Sequence, residues 1–274
     1  MGKTAGNGAI HHVAESHAFG RILDLGRRVT YGKYVRSRLP TAALRVLVRE
    51  ADALRRQSML LHRSLAPRGV ALPARGEPVD VVFLLHGVAA TAGVFGPLEQ
   101  RLRAAGIDHV ASFTYHPFRS IESLARELRR AVRWIPPRGR VHLVGHSLGG
   151  IVARWYVQEA GGASRVAQTI SLASPFHGTR VARYVPGSFA RHLEPDSSLL
   201  ARLRHPSRIA IEVPHTSFVA AGDVIVSPPE SAAFPFGDVV TVEGVGHNAL
   251  LFDGDVASEI SARIVSGRQD ARAA

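Results

Sequence analysis

A serine, an aspartate and a histidine suited to joint nucleophilic catalysis occur along the 274-residue chain in the order Ser147, Asp223, His247. Ser147 is the centre of Gly145-His146-Ser147-Leu148-Gly149, a G-x-S-x-G pattern that follows the apolar run 141–144 and leads into an apolar helical pattern. A strand-to-helix turn this tight crowds the positions two before and two after the serine, so glycines at 145 and 149 leave room that side chains would fill. The serine is expected in a strained backbone conformation with its hydroxyl exposed, just ahead of a helix N-terminus whose amides favour negative charge. A hydroxyl is a poor nucleophile until a base takes its proton. An imidazole does this, and a carboxylate fixes its tautomer and stabilises the imidazolium. His247, in the turn Gly244-Val245-Gly246-His247, reads as the base, and Asp223, directly after Gly222, as the acid. Asp196, Glu212 and Asp238 compete for the acid's role, and His177, His205 and His215 for the base's. Position at the carboxyl end of a strand, where sites in open parallel sheets form, favours Asp223 and His247. His86 and His146 are expected near the site without serving as the base. The tetrahedral intermediate needs amide donors. One is expected from Leu148, next to the nucleophile, and the other from Val88 in the loop His86-Gly87-Val88. Such chemistry calls for no cofactor, and no H-E-x-x-H spacing marks a metal site.

The elements that must carry these residues alternate. Apolar runs predict strands at 79–85, 110–113, 141–144, 166–172, 216–221 and 239–242. Helices are expected at about 95–105, at 120–135, from the tight turn at Ser147, a nucleophile elbow, to about 160, and from about 248 to 265, with the last residues frayed. This succession implies an α/β fold with a mostly parallel central sheet of about six strands flanked by helices. After Ser174-Pro175-Phe176-His177-Gly178-Thr179 the pattern breaks, and an irregular connection this long is usually functional.

The N-terminal quarter differs in character. Residues 1–78 hold 14 Lys and Arg against 5 Asp and Glu, and so most of the chain's net charge of +12. A charge run is usually a solvated face, but it also suits an anionic membrane surface; nucleic-acid binding is not expected, because no reading motif accompanies the charge. Residues 1–75 read as a basic, mostly helical extension and linker, with loose structure to Pro40 and a helix from 41 to about 65. Leu44, Leu47, Val48, Ala51, Leu54, Leu61 and Leu65 share one face of that helix, which is expected to dock on its own domain. Without cysteine, disulfides and thiol nucleophiles are excluded. No run approaches a membrane span and no apolar region follows Lys3, so a cytoplasmic protein, at most peripheral to a membrane, is expected.

His86-Gly87, the elbow, Ser171-Leu172-Ala173-Ser174-Pro175-Phe176-His177-Gly178-Thr179, Gly222-Asp223-Val224-Ile225-Val226-Ser227-Pro228 and Gly246-His247 together resemble the α/β-hydrolase fold. More narrowly they are similar to bacterial triacylglycerol lipases and lipase-like esterases, including the inositol-deacylase-like group. The resemblance spans about residues 79–265 and implies a hydrolase domain at 76–274 with a lid-like insertion at about 179–214. It implies a serine hydrolase that cleaves carboxylic esters of small molecules or lipids through an acyl-enzyme on Ser147, with the acid at Asp223 and an oxyanion amide from Val88. A thioesterase or acyltransferase using the same residues is the alternative, and a catalytically silent lipid- or partner-binding scaffold a third. Leu199, Leu200 and Leu203 in the insertion, with Phe176, Phe189, Leu250 and Leu251, are expected either to wall the substrate site or to pack in the core.

Overall fold

Residue types that favour extended structure line up into a single sheet. The computed structural model describes residues 41–61 and 79–273, except 89, 114, 117–118, 137–138 and 186–187; the expected loose stretch 1–40 and the linker lie outside them. Among the described residues are six strands: β1 (Val81–Leu85), β2 (Val110–Phe113), β3 (Val141–His146), β4 (Val166–Leu172), β5 (His215–Ala220) and β6 (Asp238–Val242). They lie in the order β2-β1-β3-β4-β5-β6, all parallel. The chain runs outward from β1 to β2 and then crosses back to β3, so the strand order reverses between β1 and β3. That reversal places the loop after β1 beside the turn after β3, with Leu85 opposite Gly145. Ligand crevices in open parallel sheets form at such a switch point.

Helices cover both faces. On one lie α3 (Ile121–Val132) and α4 (Leu148–Glu159), and on the other α1 (Thr41–Leu61), α2 (Gly96–Ala104) and α8 (Gly254–Ala273). Helix α3 starts where Ser120 accepts a hydrogen bond from the Ser123 amide, and its stripe Ile121, Leu124, Ala125, Leu128 and Val132 is buried. Each such side chain contributes about 1.5–3 kcal/mol by leaving water, less for alanine. The terminal helix departs from expectation. A 3-10 turn, Ala249–Phe252, comes first, and α8 starts only where Asp253 Oδ1 accepts from the Asp255 and Val256 amides.

The connection after β4 is more regular than its sequence suggests. A 3-10 turn (Arg180–Tyr184) and three short helices, α5 (Ser188–Arg191), α6 (Ser198–Arg204) and α7 (Arg208–Glu212), fill it, with Ser197 and Ser207 capping the last two. Leu199, Leu200 and Leu203 join the core on the α3 and α4 side. The guanidinium of Arg154 on α4 donates to the carbonyls of Ala210 and Val213 and so holds α7 down.

Helix α1 docks on the domain, but by a face adjoining the one expected rather than by that face itself. Leu44, Leu47, Val48 and Leu54 are 64%, 65%, 60% and 51% exposed, whereas Ala53 and Gln57 are buried and Val46 and Glu50 half-buried. Positions 46, 50, 53 and 57 recur at helical spacing and form the docked face. Apolar periodicity misassigns it because the attachment is polar. Arg49 donates to the Gly244 carbonyl and pairs with Asp253 at 2.7 Å, and Glu50 accepts from the backbone of residues 248 and 249.

Candidate active site

At the elbow, Ser147 has φ 53° and ψ −119°, a left-handed conformation rare outside glycine and costing about 1–3 kcal/mol. Its amide donates to the Leu172 carbonyl at 2.8 Å. The crowding that called for glycine is real: a Cβ on Gly145 would sit 2.3 Å from the Gly150 nitrogen, and one on Gly149 would sit 2.1 Å from the Leu85 carbonyl oxygen. Gly145, His146, Leu148 and Gly149 are buried, leaving Ser147 as the half-buried member with access to solvent.

The structure brings Asp223 and His247 together. Asp223 follows β5, is buried, and accepts from the Ile225 and Val226 amides through Oδ1, both at 2.8 Å. Its Oδ2 lies 2.8 Å from Nδ1 of His247, which is also buried. With a carboxylate opposite, Nδ1 carries the proton and Nε2 is left to accept one. The competing residues are engaged or placed elsewhere. Glu212 pairs with Arg208 and Asp238 with Arg263, while Asp196, His177 and His205 are exposed. His215 stands at the opposite end of the sheet, among the hydroxyls of Thr169, Ser171 and Ser217.

His146 ties His247 to the elbow. Its Nε2 donates to the His247 carbonyl at 3.1 Å, and the two rings lie 4.7 Å apart. The link from His247 Nε2 to Ser147 Oγ is not a formed hydrogen bond; such links commonly tighten only in the Michaelis complex.

The loop after β1 is set by His86. Its Nδ1 donates to the Gly87 carbonyl at 2.8 Å, and its Nε2 accepts from the Tyr115 amide at 3.3 Å. The Tyr115 hydroxyl donates in turn to the His86 carbonyl, and the two rings stack. A trans peptide sets its N–H opposite its C=O. With the Gly87 carbonyl held toward His86, the amide of Val88 is therefore directed away from that ring. Gly87 backs onto the elbow, since a Cβ there would lie 3.0 Å from the Ser147 Cβ. Val88 and Leu148 thus belong to adjoining segments beside Ser147.

Burial lowers the pKa of His86, and burial together with neighbouring His247 lowers that of His146. His215 is likewise held well below the usual histidine range, by burial first and by Arg154 second. His146 and His215 are consequently neutral in the fold, while the unfolded chain takes up protons below about pH 6.5. Their contribution is fully present above that pH and is lost as pH falls toward the folded values, by up to about 1.4 kcal/mol per pH unit for each histidine. Urea midpoints should hold steady above about pH 7 and fall below about pH 6.5. Midpoints constant down to about pH 5 would contradict neutral burial.

The thioesterase domain family matches residues 81–156, the stretch from β1 through most of α4 that contains the His86 loop and the elbow. No curated protein matches the chain in sequence. Among solved structures it is similar to the mature Bacillus licheniformis lipase BlEst2, with a TM-score of 0.55 and 14% identity over 72% of this chain and 94% of that one. It is also similar to a hyperthermophilic esterase from the archaeon Pyrobaculum calidifontis, with a TM-score of 0.51 and 19% identity over 82% and 93% of the two chains. At these identities the likeness is one of fold: the chain has the α/β-hydrolase fold, as its motifs led us to expect.

Proposed function

We propose that the chain is a serine hydrolase that cleaves carboxylic esters through an acyl-enzyme on Ser147. The observation that carries this reading is the buried 2.8 Å hydrogen bond from His247 to Asp223 beside a strained, half-buried serine. In the reaction Ser147 Oγ attacks the ester carbonyl while its proton passes to His247 Nε2. Asp223 stabilises the imidazolium, and the amides of Val88 and Leu148 receive the oxyanion. His247 then protonates the leaving alcohol, and water, deprotonated by the same imidazole, releases the acid.

A thioester substrate is the second reading, favoured by the thioesterase-domain match over the His86 loop and elbow. Attack and oxyanion steps are the same, and only the leaving atom changes. An accompanying reading concerns lipid. Leu44, Leu47, Val48 and Leu54 face outward on α1 beside Arg45, a pattern that supports peripheral contact with an anionic membrane. Among the described residues no helix is long and apolar enough to cross a membrane.

Turnover of p-nitrophenyl esters of increasing acyl length, compared with matched acyl thioesters, tests the choice. Ester cleavage that rises with chain length, and rises further when the ester is presented in anionic vesicles, is expected. Preference for the thioester selects the second reading, and inertness toward both defeats the enzyme assignment.

A further inference from the structure

Helix α1 precedes the sheet in sequence, yet one of its residues reaches the loop that carries His247. The Glu50 carboxylate accepts from the Asn248 amide at 3.0 and 3.1 Å, from Asn248 Nδ2 at 2.6 Å and from the Ala249 amide at 3.1 Å. These donors open the 3-10 turn Ala249–Phe252, whose capping residue Asn248 makes no capping bond with its own side chain. Helical turns leave their first amides without partners, and here a side chain from far away in sequence receives them.

A second observation shows the same fit from the other side. The residue before His247 is Gly246, and a Cβ there would fall 2.5 Å from Glu50 Oε2. The carboxylate thus occupies the space that a side chain at 246 would need. Arg49 holds both ends of the same loop, at Gly244 and Asp253. His247 is therefore gripped at its ring by Asp223, at its carbonyl by His146, and through the next two residues by Glu50.

We propose that Glu50 is a positioning residue for the catalytic base: it fixes the loop on which His247 sits, which makes the N-terminal helix part of the active site. This rests on His247 acting as the base, as proposed above. A charged carboxylate suits three convergent N–H donors, because all of its lone pairs accept. Glutamine at this position would keep the shape but turn an NH₂ toward the Ala249 or Asn248 amide, a donor facing a donor.

The test compares the full chain with Glu50→Gln and Glu50→Ala. In the folded protein both should lower kcat about 10- to 100-fold, the loss that a small misplacement of a catalytic group brings, with KM little changed. The rate of labelling by a fluorophosphonate should fall in step. The far-downfield proton resonance of His247 Nδ1 should weaken or vanish in both variants, a readout that does not depend on turnover. Wild-type kcat and an intact resonance in folded Glu50→Gln would overturn the proposal. If the wild type itself fails to label, the hydrolase reading falls, and the resonance alone decides whether Glu50 positions His247.

Discussion

Ser147→Ala is expected to lower kcat by about 10⁵- to 10⁶-fold and to abolish fluorophosphonate labelling, as loss of the nucleophile does in triads whose members act as a unit. The remaining catalysis would come from the amides of Val88 and Leu148 and from substrate binding. The substitution tests chemistry cleanly because it asks little of the fold. Alanine keeps the backbone at φ 53°, Gly145 and Gly149 still clear the turn, and the Ser147 amide still donates to Leu172. Unfolding free energies from urea titration should therefore match the wild type within about 0.5 kcal/mol. Stoichiometric labelling that persists in Ser147→Ala, or turnover within tenfold of the wild type, would remove Ser147 from the mechanism.

Arg154→Ala should destabilise the fold by about 3–5 kcal/mol, the scale for a large side chain lost from a core together with its hydrogen bonds. The side chain is fully buried, and no carboxylate is among its bonded partners. It donates to Gln158, Thr169, Val213 and Ala210 at 3.1 to 3.2 Å and lies 4.5 Å from the centre of the Phe234 ring. Burial pushes its pKa down to about 9, so at neutral pH it is still a cation, held by carbonyl dipoles and an aromatic face. Truncation leaves a cavity and strips partners from the carbonyls at the end of α7. Arg154→Met fills more of the volume without the desolvation cost and should lose less than Arg154→Ala. Equal urea midpoints for wild type and Arg154→Ala would show that α7 is held by other contacts.

The two substitutions probe different layers of information. Ser147 was recognisable because everything that defines an elbow lies within ten residues: an apolar run, two glycines and a helical pattern. The turns that hold Asp223 and His247 were legible for a related reason, since each closes a strand whose apolar run is itself local. The stripe on α3 and most strand boundaries followed from periodicity in the same way. Arg154, by contrast, reads as an ordinary basic residue on a helix. Its burial depends on carbonyls 56 and 59 residues further along the chain. The breaks in pattern after Thr179 read as irregular chain because α5, α6 and α7 are each too short to display a period. Serine caps hold α6 and α7, and core burial holds all three.

Helix α1 marks the boundary between the two kinds of knowledge. Its amino acids alone determined that it is helical and amphipathic, since both depend on neighbours within a few turns. The rest of the sequence likewise determined the glycine-flanked turn at Ser147, the α/β succession that carries it, and the strand-closing turns that hold Asp223 and His247. Only the tertiary structure decided which face of α1 is covered, because the docked face offers little apolar area beyond Val46 and Ala53 and is held largely by hydrogen bonds and the Arg49–Asp253 ion pair. Glu50 and its partner Asn248 stand 198 residues apart. No local pattern encodes that meeting: it exists only once the His247 loop has been brought against the helix.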